Sequence, residues 1–464
     1  MTDQNLQVEV ESLRPVLSDV VSTLEESAPY GAVFLSSNRG MEINIDNRQE
    51  TVSDRNPAVG AIITAFDGIT MRERAVGGFD KEVILRSARE LIEENGFSKQ
   101  GEIDPGPERN GDFATPVEID PSAMPTKEKV ERLRDLNRRA NELDPRIVNV
   151  RVRYLEMREG SLFRNRSADL YQDILRVALY IFVVVADEGE IQFDWLVKQA
   201  TGGWEALTFS DEELQSLADH VIGMLSAERI EPGEYTTITS PLISGVICHE
   251  SFGHGVETDM FLKDRAKAEH YLGRTIGSPM VDIWDDPSVP GAFGSYYFDN
   301  EGWQATPTQI VKEGIFQRGI TDLYSATVLG IPRTPNGRRQ DFSRKTYARM
   351  SNTFFGRGTT PVDDLFKQVE DGIYIEKVSS GMEDPKGWGI QVTCRSGREI
   401  KGGEFTGRLF SPIVVTGYVP EILHSIQAVG DDLALKGGFC GKGHKELVPV
   451  ASGGPHLLLK ARLG

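Results

Sequence analysis

Cysteine is scarce in this chain. Three residues, Cys248, Cys394 and Cys440, in a chain of 464 cannot build a disulfide framework, and so low a count suits a reducing compartment. Long hydrophobic runs are lacking too. The longest, Val177 to Ala186, falls far short of the ~20 apolar residues a spanning helix requires, so no membrane partner is expected. The opening stretch, MTDQNLQVEVESL, has neither the basic nor the apolar region of a secretory signal, and the expected location is cytoplasmic. Positive charge is in deficit, with 51 Lys and Arg against 70 Asp and Glu for a net −19. Phosphate recognition needs clustered basic side chains, so nucleic acid is not an expected partner. The sequence shows no tandem repeat and no low-complexity tract.

What is present is glycine, 47 residues of it, which points to turns and close backbone approaches rather than a helical bundle. The length leaves room for two or three domains. Strand-like segments at 32–37, 41–46 and 58–66 are punctuated by Gly and Asn. A helix starts after Asp80, with Gly96 at its end. Residues 97–125 are rich in Pro and Gly without period and read as a linker or long loop. A charged amphipathic helix follows at about 127–143, then an alternating strand at 147–157 and a buried strand in ALYIFVVVA. Ser210 and Glu213 form a capping box that opens a helix to about Met224. After the Pro-Gly turn at 232–233 the chain is turn-dense, with one helix from Thr360 as N-cap and Pro361 as first residue to about Val369. The division is an N-terminal α/β subdomain (1–100), a linker (101–126), a middle α+β subdomain (127–229) and a β-rich C-terminal domain (230–464). The fold class is α+β: a mixed α/β N-terminal region followed by a β-rich C-terminal domain.

The chemistry concentrates in HESFGHGVETD, residues 249–259. The metalloprotease pattern H-E-x-x-H places its histidines four apart on one helical face. Here His249 and His254 are five apart, which on a regular helix splays them by ~140°. A π-type turn, eased by Gly253, would bring them together again. Glu250 suits a general base beside the metal, because adjacent residues point in different directions. Candidates for a third ligand are Glu257, Asp259, Cys440 and His444, a thiolate being an excellent zinc ligand. Plainer readings stand beside these: Cys440 as a small buried hydrophobe, Glu257 and Asp259 as a solvated acidic turn. Cys248 reads as core, and His220, His270 and His424 as structural.

Taken together, HESFGHGVETD, IGSPMVDIWDDPSVPGAFGSYYFDNEG (276–302), NGRRQDFSRKTYARMSNTFF (336–355), EDGIYIEKVSSG (370–381) and CGKGHKELVPVASGGPHL (440–457) resemble, in order and spacing, the catalytic half of the TldD/PmbA metalloproteases. The N-terminal half is similar only through AVFLSSNRGMEINIDN and the helix that follows. The resemblance implies one zinc ion per chain on His249, His254 and Cys440, with Glu250 as base. It implies an enclosed cleft taking short or unfolded peptides, held by adding a strand to a sheet edge. It also implies a homodimer, or a heterodimer with a homologous subunit that has lost the metal. Two departures stand out: Ser251 where the family has Ala, and Gly-His-Lys-Glu after CGK where it tends to Gly-Gln, so that His444 could compete for the metal or orient a ligand. Arg338, Arg339, Arg349 and Asn352 are candidates for binding substrate or oxyanion, with internal ion pairs as the plainer reading. Glu257 is a candidate to orient a ligating imidazole. The rival reading is a peptide-binding or regulatory subunit whose metal is structural or vestigial.

Overall fold

The computed structural model describes residues 6–98 and 101–464. The boundary read at residue 100 and the first five residues of the opening stretch lie outside the described residues. The fold is α+β, with a β-rich C-terminal region. Seven strands build the first sheet: β1 (Tyr30–Ile45), β2 (Glu50–Phe66), β3 (Met71–Gly77), β4 (Arg109–Ala114), β5 (Ile147–Asn165), β6 (Ala168–Asp187) and β7 (Glu190–Thr201). Their order is β3-β2-β1-β5-β6-β4. β7 shares the outer edge of β6 with β4.

The segments read as separate strands at 32–37 and 41–46 are one strand, β1, whose register on β2 shifts between Asn38 and Gly40. Gly40 marks a close approach instead of a turn, since a Cβ there would lie 2.2 Å from the Glu156 carbonyl oxygen. The aperiodic stretch 97–125 contains β4, which alternates in burial and pairs with β6.

Four helices cover this sheet: α1 (Leu6–Glu25), α2 (Lys81–Glu93), α3 (Thr126–Asn141) and α4 (Asp211–Gly223). Asp80 caps α2 by accepting from the backbone of Glu82 and Val83, while Gly96 takes no part in its end. Ser210 and Glu213 cap α4 reciprocally. α1 buries Leu13, Leu17, Val20 and Leu24 against β1, β5 and α2 despite carrying Pro15.

In the second half, β8 (Gly233–Thr239) leads directly into helix α5 (Pro241–Phe252). A six-stranded sheet includes the strands Ile283–Asp285 and Asn352–Phe355 and the hairpin Ala434–Lys442/Glu446–Gly454. A seven-stranded sheet includes β8, Asp371–Asp384, Gly389–Lys401 and Leu457–Leu463. α5 packs against both sheets and buries Ile243, Ile247, Cys248 and Phe252 in the largest core. Gly245 lets it lie on the strand below, where a Cβ would meet the Gly453 backbone at 2.5 Å. The late helix spans Val362–Lys367 with Pro361 at the cap position and no side-chain cap, because Thr360 is held in a bridge to Gly430. Its expected capping by Thr360 is thus corrected.

The two halves are tied at β6. The Gln172 amide donates to the Phe298 carbonyl at 3.0 Å, and its oxygen accepts from Tyr297 N at 2.9 Å. Arg176 donates to the carbonyls of Phe293 and Ser295, each at 2.9 Å. No described helix is long and apolar enough to cross a membrane.

Candidate metal centre

Ser240 caps α5 and Pro241 occupies its first turn, a start pattern that fixes where the helix begins. Its end sets the site. α5 stops at Phe252, Gly253 closes it by donating to the His249 carbonyl, and 254–256 form a single 3₁₀ turn. The π turn expected from the five-residue spacing does not form. Ending the helix swings His254 back toward His249 without widening a turn. The ring centroids stand 5.0 Å apart with the planes at 88°. Gly253 is required here, because a Cβ would lie 2.0 Å from Met350 Sδ and 2.3 Å from the His249 oxygen.

The strand Ala434–Lys442 delivers Cys440 to this pair. Its Sγ lies 3.2 Å from His254 Nε2, and one ligand atom from each of His249, His254 and Cys440 falls within 4.8 Å of the others. Burial would push the Cys440 thiol up, but His254 and His249 outweigh it and hold the thiol well below its usual range. Burial likewise opposes a charged His254, yet Cys440 and Glu257 raise it well above the ordinary value. His249 Nδ1 is buried and makes no hydrogen bond. Two imidazoles and a thiolate suit a borderline-soft divalent cation such as zinc.

Around the ligands runs a charge chain. His254 Nδ1 lies 3.3 Å from Glu257 Oε2, and Glu257 pairs with Lys442 Nζ at 3.0 Å. Lys442 also pairs with Asp259 and donates to the Ala348 carbonyl at 3.0 Å. Burial would raise Glu257, but Lys442 and His254 overcome it and lower its carboxyl to about 2. Glu250 makes no hydrogen bond or ion pair; its carboxylate lies against Gly381, where a Cβ would be 2.7 Å from Oε1. Glu250, His254, Tyr347, Met382, Glu383 and Lys442 line a cleft of about 550 Å³. Burial pushes the Glu383 carboxyl up to about 9, with His254 opposing and Glu250 adding.

The remaining sequence candidates lie elsewhere. Arg338 donates to the carbonyls of Met350 and Pro449, and Arg349 to that of Cys440 at 2.6 Å. Arg339 pairs with Glu73 at 2.7 Å, and Asn352 bonds the Asp286 carbonyl and Ser295 Oγ. All four are buried and bonded to the protein itself. His444 sits in the exposed turn between the hairpin strands, outside the ligand group. Cys248 is fully buried and raised by desolvation. His220 is held by Ser396 and lies near Asp194 and Glu376. Sequence reasoning passed over two residues. Lys442 was legible, since residues two apart on a strand share a face and it follows Cys440 by two; Glu383, in an ordinary-looking EDPKG turn, carried no signal.

A helix end with two histidines, a thiolate strand and a free glutamate at the foot of a cleft define a candidate hydrolytic metal centre. Comparison with known proteins gives the class a family. Residues 232–462 match the PmbA/TldA metallopeptidase C-terminal domain and residues 119–230 the central domain. The chain therefore belongs to the PmbA/TldD metallopeptidase family. A metalloprotease of Methanothermobacter thermautotrophicus is 33% identical over 73% of this chain and 74% of its own. A Saccharolobus solfataricus protein named zinc metalloprotease TldD homolog is 26% identical over 72% and 75%. In fold, TldE from Thermococcus kodakarensis superposes with a TM-score of 0.71 at 15% identity, covering 97% of this chain and all of that one (100%).

Proposed function

We propose that this protein is a zinc-dependent peptidase that hydrolyses short or unfolded peptides in the cleft beside His254. The observation that carries the reading is the convergence of His249, His254 and Cys440 next to an unpaired Glu250. Zinc held by these three side chains supplies the Lewis acidity that amide hydrolysis requires. Glu250 accepts the proton of the attacking water and returns it to the leaving amine. Glu257 fixes the tautomer and orientation of His254, and Lys442 keeps Glu257 ionised. Among the described residues no fourth His, Cys, Asp or Glu joins the ligand group, which favours an open catalytic site over a closed structural one.

The test is metal content by elemental analysis together with peptide turnover. Wild type should carry about one zinc per chain, a one-site stoichiometry. Glu250→Ala should keep the metal and lose hydrolysis, whereas His249→Ala and Cys440→Ser should lose both. Retained turnover in Glu250→Ala would sink the mechanism. We further propose a cytoplasmic enzyme working as a homodimer or with a metal-free homologous subunit, which native mass measurement would distinguish.

A further inference from the structure

Another pocket, of about 670 Å³, shares Lys263 and Tyr347 with the cleft beside His254. It lies where β3 meets the C-terminal half, lined by Met71 and Glu73 from the first half and by Leu262, Tyr324 and Val328 from the second. Four acids line it, and two of them are matched: Asp259 by Lys442 and Lys263, Glu73 by Arg339. The other two, Glu301 and Asp322, are buried at 8% and 4% exposure. Leu323 N donates to Glu301 Oε2 and Ser325 N to Asp322 Oδ1, which leaves Glu301 Oε1 and Asp322 Oδ2 without a donor among the described residues. Arg333 reaches Glu301 at 3.4 Å. Asp322 makes no ion pair among the described residues, and neither does Asp299, a third buried acid whose carboxylate accepts from Glu301 N. Burial pushes the Glu301 and Asp322 carboxyls up; at Glu301 Arg333 opposes and Asp322 adds. The place is short of positive charge. Thr346 lines the same pocket, and its hydroxyl is buried without a partner, where buried hydroxyls are ordinarily bonded. The pocket's own bases do not fill the gap: Lys263 is held by Asp259, Arg72 bonds Asn95, and Lys345 is exposed over the Tyr347 ring.

We infer that this pocket takes a basic side chain of the substrate, with Glu301 and Asp322 receiving its charged head, so that the enzyme selects peptides by a lysine or arginine near the bond it cuts. The inference rests on the peptidase reading. Arginine fits best, because a guanidinium brings five donors in a planar fork, enough for both open carboxylate oxygens and the Thr346 hydroxyl. Met71, Leu262, Tyr324 and Val328 give its methylene stem apolar contact. A metal ion fits worse. It needs ligand atoms that converge on one point, and the group that converges among the described residues is His249, His254 and Cys440. A cation spread over several atoms can instead bridge acids that stand apart. Because the pocket adjoins the cleft through Lys263 and Tyr347, a peptide lying beside the metal centre can send one side chain into it.

The experiment measures kcat/KM on zinc-loaded enzyme for short peptides carrying a single arginine at each position in turn. Each is matched by a twin with citrulline, which keeps the shape and lacks the charge. Wild type should prefer arginine at one position by roughly tenfold or more, the scale of one desolvated charge-assisted contact. Glu301→Gln and Asp322→Asn should each erase most of that preference with zinc content unchanged, and Thr346→Val should lower it in part. Asp322→Glu, which keeps the charge, should retain part of it. Equal wild-type rates for arginine and citrulline at every position would overturn the assignment and leave the peptidase standing, as would a preference that survives in both Glu301→Gln and Asp322→Asn. Cleavage of no peptide by wild type would overturn both readings. If the two acid variants do not fold, the wild-type ratio and Thr346→Val still decide.

Discussion

Lys442 is the residue on which the electrostatics of the centre turn. It compensates two buried carboxylates, Glu257 and Asp259, while its own side chain is 10% exposed. Lys442→Met should destabilise the protein by about 3–5 kcal/mol in urea unfolding, because it strands buried charge rather than removing a pair. The same contact carries a pH signature. Glu257 has its folded value lowered from 4.5 to about 2, so its contribution to stability is complete above the unfolded value and is lost as pH falls from 4.5 through 2. Acid unfolding of Lys442→Met followed by circular dichroism should therefore begin at higher pH than in wild type; an unchanged acid midpoint would contradict the pairing. At this scale part of the site was legible: His249, Glu250, His254 and Glu257 come from one short motif, whereas Cys440 was one of four candidates for the third ligand until the family resemblance singled it out; the two imidazoles and the thiol meet in space. Of the arginines, Arg339 makes the internal ion pair that was the plainer reading, while Arg338 and Arg349 serve carbonyls; a guanidinium suits either acceptor, and sequence does not tell which one lies within reach.

Among the elements, α5 explains why five-residue spacing works. A helix that ends between two ligands frees the second from helical periodicity, and a 3₁₀ turn then resets its direction. The sequence contained the cue in Gly253, yet a glycine can relax a widened turn or end a helix, and only tertiary packing chooses. Gly253→Ala tests the choice. Its methyl would collide with Met350 and the His249 carbonyl, so a loss of about 1–3 kcal/mol is expected from overpacking, with weaker zinc retention on dialysis because His254 is displaced. Unaltered zinc retention would mean that the 3₁₀ turn does not place His254. β1 teaches a related lesson: Gly and Asn look like punctuation, but a sheet can absorb them as a register shift when a neighbouring strand presses close.

For the whole molecule, the first sheet is attached to the C-terminal half by apolar packing, Phe34, Phe66 and Phe163 against Phe298 and Leu323, and by buried polar contacts. Arg176 is 3% exposed and donates to two carbonyls of the 293–295 segment. Arg176→Leu should cost about 1–3 kcal/mol for each carbonyl left unpaired, and hydrogen exchange should show faster opening of residues 293–298. Protection equal to wild type in that segment would refute the coupling. Such pairings of residues far apart in sequence, like the order of strands in both C-terminal sheets, could not be read from periodicity, which reports only the local face of an element.

The late placement of Cys440 has a consequence for synthesis. It follows His254 by 186 positions, and the strand Leu457–Leu463, which fills the space beside β8, comes later still. On the ribosome the two imidazoles emerge long before the thiolate and before β8 has this neighbour. The nascent chain therefore lacks a full ligand set while it is itself an unfolded polypeptide among other unfolded polypeptides. The three-ligand group therefore forms only once the hairpin that carries Cys440 has been made and has packed against α5.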